Sequence, residues 1–215
     1  MAKLEYRLSY WRHLPHIQPS GATLFVTFRL DGSIPAAIQQ QLIDEAERIE
    51  AILAQIPSPQ ERAKQAYLEK RRLFGKWDST LDAASAGPVW LRNPEIARLV
   101  ADSLHYLNGR VLELNSFCIM PNHVHTVFTP LPKDDDTYHS LSSIMHSAKR
   151  YSARQANKLL EREGQFWQHE SYDHVVRDAA ELERIVKYVL NNPVKVGLVN
   201  QWQEWPWTYC KWDVM

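Results

Sequence analysis

The chain reads as an α+β fold, a ferredoxin-like βαββαβ sandwich built on one antiparallel sheet, and three observations point there. Short β-branched and aromatic runs bounded by turn residues mark strands. Longer runs with apolar residues every three or four positions mark helices. Once two charged helical runs are set aside as an insertion, the order is strand, helix, strand, strand, helix, strand. With 215 residues the chain can bury a core as a single domain, with a helical insertion at about 35–75 and a C-terminal helix and aromatic tail at about 179–215.

The first strand is expected over 22–30 and is ended by Asp31-Gly32-Ser33. Two amphipathic helices follow over 36–55 and 60–74, separated by Ile56-Pro57-Ser58-Pro59, and 78–88 reads as a loop. Asn93-Pro94-Glu95 caps a helix running to about 107, and Asn108-Gly109 stops it. Strands over 111–120 and 123–129 form a hairpin across Pro121-Asn122. A long helix covers 140–160, a strand 172–177, and a helix 179–190 that Asn192-Pro193 should end.

The second hairpin strand carries the chemistry. In Met120-Pro121-Asn122-His123-Val124-His125 the two imidazoles are two positions apart, so on a strand they share one face and reach one metal ion, while Val124 points to the other. Histidines on strands more commonly make ordinary hydrogen bonds, so the pair alone is weak evidence. The helix over 140–160 adds to it. At about 100° per residue, Tyr151 and Gln155 lie on the seam between its apolar face and a stripe of Arg150, Arg154 and Lys158. A tyrosine at such a boundary can serve packing only, and a basic stripe can be a solvated face. Acidic partners for the stripe are nearly absent before Glu161 and Glu163, however, so its charge is not neutralised locally.

A divalent cation held by His123, His125 and the Gln155 amide oxygen would polarise a phosphodiester for in-line attack by Tyr151. With a phenol pKa near 10, forming the phenolate at neutral pH costs about 4 kcal/mol, which the ion would offset. Lys149, Arg150, Arg154 and Lys158 would hold a polyanionic backbone alongside.

Four blocks carry a resemblance: Phe117-Cys118-Ile119-Met120-Pro121-Asn122-His123-Val124-His125, Ala148-Lys149-Arg150-Tyr151-Ser152-Ala153, Phe166-Trp167-Gln168-His169-Glu170-Ser171-Tyr172-Asp173, and Tyr188-Val189-Leu190-Asn191-Asn192-Pro193-Val194-Lys195-Val196-Gly197-Leu198-Val199. Together they resemble the REP-associated tyrosine transposases, a branch of the HUH single-tyrosine transposase family, over about half the chain. The resemblance implies a metal-dependent endonuclease and strand transferase. It would cleave single-stranded DNA near imperfect hairpins through a 5′-phosphotyrosine link and release a 3′-hydroxyl. It implies Mg²⁺ or Mn²⁺ as cofactor, His123 and His125 as metal ligands, Tyr151 as nucleophile and Gln155 as third ligand. Two imidazoles and an amide favour Mn²⁺ over Mg²⁺. The resemblance is compatible with a monomer and with a homodimer in which each tyrosine helix is donated to the neighbour's histidines.

Exchange of one phosphodiester for another needs no nucleotide cofactor, and the chain has no Gly-rich phosphate loop. The formal net charge of +0 argues against coating of nucleic acid by the whole surface. Two cysteines without ligand spacing, no membrane-length apolar run and no signal-like N-terminus point to the cytoplasm. Trp202, Trp205, Trp207, Tyr209 and Trp212 suit a tail packed on the core better than base stacking. Trp167 has the same two readings, and Tyr10, Trp11, Arg12, His13 and His16 form either a hairpin grip or a flexible arm.

A water-activated metallohydrolase would use the histidines without needing Tyr151, but barrel repeats, a cupin-type Glu and paired His-x-Thr motifs are all missing. The remaining rival is a domesticated, non-catalytic binder of hairpin DNA or RNA.

Overall fold

A computed structural model describes residues 19–84, 86–134 and 137–212. Tyr10, Trp11, Arg12, His13 and His16 lie outside the described residues. The chain divides into two compact units, one within 34–87 and the other made of 19–33 with 88–212.

The smaller unit contains helices α1 (Ala36–Ala54) and α2 (Pro59–Ala83). The intervening Ile56-Pro57-Ser58 turns the chain back, and Ser58 caps α2 by accepting the Glu61 N–H at 3.3 Å. Ala46, Ile49 and Leu53 of α1 meet Ala66 and Leu73 of α2. The carboxylate of Glu45 bridges Arg72 and Lys76 across the pair.

Contrary to the expected stop at 74 and loop from 78, α2 continues through Gly75 to Ala83. One exposed glycine costs a helix only about 1 kcal/mol, whereas Leu73, Trp77 and Leu81 keep the four-residue apolar stripe running past it.

The larger unit is a five-stranded antiparallel sheet in the order β4-β1-β3-β2-β5. Its elements are β1 (Leu24–Arg29), α3 (Pro94–Leu107), β2 (Leu112–Ile119), β3 (His123–Pro130), α4 (Leu141–Leu159), β4 (Tyr172–Val175), α5 (Ala179–Lys195) and β5 (Thr208–Cys210). The first four strands with α3 and α4 make the expected split βαβ. Asn93 caps α3 by accepting the Glu95 N–H at 2.9 Å.

Strand alternation assigns the two sheet faces. Leu24, Val26 and Phe28 of β1 and Val124 and Phe128 of β3 join one cluster with Ile96, Val100 and Leu104 of α3 and Ile144, Met145 and Ala148 of α4. Phe25, Thr27, His123 and His125 therefore project from the opposite face, where α5 packs. This reverses the expectation that the histidines face the helix carrying Tyr151. The large apolar core takes Val124, and the polar alternates go to the other side.

Helix α5 also runs past its expected end, through Pro193 to Lys195. Proline's fixed φ fits a helix, and in the last turn its missing N–H removes a single hydrogen bond. Gly197, at φ 71°, stops the helix: its N–H reaches the Val194 carbonyl at 3.0 Å, and the Leu198 N–H reaches that of Pro193 at 2.9 Å. The aromatic tail packs on the core and adds β5 to the β2 edge. There Tyr209 stacks on Phe117 at 5.6 Å and the Trp205 indole donates to the Ile119 carbonyl at 2.9 Å. Trp167 is likewise core, its indole donating to Ser152 Oγ at 3.0 Å. No helix among the described residues is long and apolar enough to cross a membrane.

A Cβ added at Gly75 would meet nothing within 4 Å. Gly75→Ala should therefore stabilise α2 by roughly 0.5–1 kcal/mol, read as slower amide exchange across residues 70–80.

Candidate active site

The hairpin between β2 and β3 holds the first histidine rigidly. Its turn is pinned by the Leu30 N–H on the Asn122 carbonyl and the Met120 N–H on that of His123, both at 2.8 Å. The buried Asn122 places Oδ1 2.7 Å from His123 Nδ1. A carbonyl oxygen only accepts, so Nδ1 carries the proton and Nε2 presents its lone pair to the interior. On the neighbouring histidine, Thr27 Oγ1 of β1 lies 2.8 Å from His125 Nδ1.

The two Nε2 atoms end 3.0 Å apart, and both side chains are fully buried. Burial, reinforced by the charge of Lys195, pushes the His125 imidazole down to about 3. The His125 ring is thus suited to neutral coordination.

Helix α5 supplies the groups that face them. Asp178 caps it through the Glu181 N–H at 2.7 Å, and the buried Glu181 carboxylate binds the Arg177 guanidinium and His174 Nε2. This anchor fixes the helix's rotation, so residues seven and eleven positions on fall over the histidines.

Asn192 Nδ2 lies 3.0 Å from His125 Nε2. The Tyr188 ring lies 5.4 Å from the His125 ring at 64°, with Phe25 edge-on at 6.0 Å. The buried Oδ1 of Asn192 finds no hydrogen-bond partner among the described residues. Turning the amide over would point that oxygen at the imidazoles. Two imidazole nitrogens and an amide oxygen are a donor set that fits a divalent metal of Mn²⁺ or Zn²⁺ character.

The residues expected on α4 are elsewhere. Tyr151 is 50% exposed, and Gln155 lies one turn further along. The buried side of α4 (Ile144, Met145, Ala148, Ser152 and Ala156) packs on the Val124 face, so the sheet stands between Tyr151 and Gln155 and the two histidines. Arg150, Arg154 and Lys158 do form an exposed stripe. Lys149 does not join it. Its ammonium turns inward to the carbonyls of Gln168 at 2.9 Å and His169 at 3.0 Å, and burial, with the charge of Arg29, pushes it down to about 8.

Sequence reasoning missed Tyr188 and Asn192 as site residues, although they repeat the tyrosine-to-amide spacing seen at Tyr151 and Gln155 and lie in the fourth resembling block. What was lacking was the sheet face. His-x-His does not say which helix its side chains will meet.

Residues 96–192 match the family model described as transposase IS200 like. A REP-associated tyrosine transposase sequence of Haemophilus influenzae is 32% identical over 110 residues, or 47% of this chain and 61% of that protein. The REP-associated tyrosine transposase of Escherichia coli K12 is 29% identical over 105 residues, or 49% of this chain and 58% of that protein. The chain thus spans about three-fifths of the length of these curated relatives. A solved REP-associated tyrosine transposase bound to a REP hairpin superposes with a TM-score of 0.53, covering 92% of this chain and 82% of that one at 16% identity, a likeness of fold. The resemblance read from the four sequence blocks is borne out by these matches.

Because the folded imidazole of His125 sits near 3 and an unfolded one near 6.5, the unfolded state binds more protons between those values. Stability should fall as pH drops from 6.5 towards 3. His125→Gln should flatten that slope, as measured by urea midpoints at pH 7 and pH 5.

Proposed function

We propose that this chain, whose residues 96–192 match the IS200-like transposases, is a single-tyrosine enzyme that cleaves and rejoins single-stranded DNA beside hairpins, with Tyr188 as nucleophile. The observation that carries the reading is the meeting of Tyr188 and Asn192 with the paired imidazoles on one sheet face. The names of the relatives, REP-associated tyrosine transposases, support the tyrosine chemistry, and the solved transposase bound to a REP hairpin supports the hairpin substrate.

In this reading the Tyr188 hydroxyl attacks the phosphorus, an O–P bond to the phenol forms, and the bond to the 3′-oxygen breaks. The products are a 5′-phosphotyrosyl link and a 3′-hydroxyl that takes up a proton. Bond energy is kept in the tyrosyl ester, so rejoining needs no nucleotide cofactor.

His123, His125 and Asn192 would hold a divalent cation, Mg²⁺ or more tightly Mn²⁺, which would supply charge stabilisation at the non-bridging oxygens. The hydrogen bonds with Asn122 and Thr27 would orient the two rings for that task. Arg150, Arg154 and Lys158 on the far side of the sheet would grip phosphates of the folded DNA, with affinity but no sequence information. Since Tyr188 lies beside the histidines of its own chain, a monomer can hold a complete site, and a cytoplasmic location gives it access to DNA.

Incubation with a hairpin-bearing single strand and Mn²⁺ should give a covalent protein–DNA adduct on a denaturing gel. Tyr188→Phe and chelation should each abolish it, while Tyr151→Phe should leave it. The reverse pattern for the two tyrosines would return the nucleophile to α4. Arg150→Gln with Arg154→Gln should lower the slope of log affinity against log salt by about 0.9 for each duplex phosphate that the stripe no longer neutralises. An unchanged slope would remove the stripe from the DNA interface.

A further inference from the structure

Lys195 is the last residue of α5 and is exposed. It follows Tyr188 by seven positions and Asn192 by three, so the three side chains share one helix face. Its Nζ lies 5.6 Å from the centroid of the Tyr188 ring, which also meets His125 at 5.4 Å and Phe25 at 6.0 Å. The end of a helix favours a cation, because the last carbonyls carry partial negative charge.

Asn192 sets an uncharged amide beside Lys195 on the same helix face. Arg29 shares this sheet face through its pairing with His123, but its Nη1 donates to Ser33 Oγ at 3.3 Å and approaches the Leu30 carbonyl at 3.5 Å.

We propose that Lys195 is the phosphate-seating residue of this site, its ammonium donating to a non-bridging oxygen of the phosphodiester so that the phosphorus lies against the Tyr188 hydroxyl. The proposal rests on the reading of Tyr188 as nucleophile. Lys195 then does two things through one charge: it adds affinity for the single-stranded segment next to a hairpin, and it lowers the barrier to attack. A purely structural cation–π contact with Tyr188 would do neither.

The test uses the full chain with Lys195→Met, Lys195→Arg and Tyr188→Phe. The probes are a hairpin oligonucleotide with single-stranded flanks and the same hairpin without them. In EDTA, Lys195→Met should lower the salt slope for the flanked probe by roughly 0.7, the value for one single-strand phosphate, and leave the bare hairpin unchanged. With Mn²⁺ its single-turnover adduct formation should slow by roughly 10- to 100-fold, as for removal of one charge-stabilising donor. Lys195→Arg should recover most of both.

Wild-type slope and rate in Lys195→Met would overturn the proposal, as would an arginine variant as impaired as methionine. An adduct persisting in Tyr188→Phe would instead sink the nucleophile assignment, and the metal-free slope would still decide the role of Lys195. Because Lys195 is exposed, both of its variants should keep the wild-type melting temperature, which separates these effects from misfolding.

Discussion

Two imidazole nitrogens held 3.0 Å apart and away from water need support from outside their own strand, and much of the larger unit is organised to hold them there. Asn122 accepts the N–H of one ring and Thr27 orients the other. The Asn192 amide closes the group from above. Each of these comes from a different element: the β2–β3 turn, β1 and α5. The site is therefore a property of the assembled sheet and helix, and no single segment could form it alone.

The same dependence explains what is legible in the sequence. The strands, the α3 caps and the hairpin turn follow from local patterns, because Asn93, Asn108-Gly109 and Pro121-Asn122 act on their immediate neighbours. The metal-type pair is legible too, since alternation along a strand is a local rule. The partner helix is not. Helices α4 and α5 each carry a tyrosine with a side-chain amide four positions on, and only the packing of Val124 against α3 and α4 selects between them. Pro193 reads as a helix stop, which hides Lys195 from α5 altogether. The cap at Gly197, also a local signal, is the true stop, but the proline outweighs it on the page. Gly75 misleads in the same direction within α2.

The paired imidazoles lie on one face of the sheet and the basic stripe of α4 on the other. A cluster of lysines and arginines beside the imidazoles would oppose the binding of a cation there. Most of the exposed positive charge of α4 is a sheet's thickness away, and the site's own neighbourhood holds Lys195 at its rim. His125 stays uncharged under those conditions because burial, more than any neighbouring charge, governs its ionisation.

The sheet ends on its two shortest strands, four residues in β4 and three in β5. Such stubs offer few unpaired backbone groups for another chain to zip onto. Growth of the sheet by addition of a strand from a second molecule is thereby discouraged.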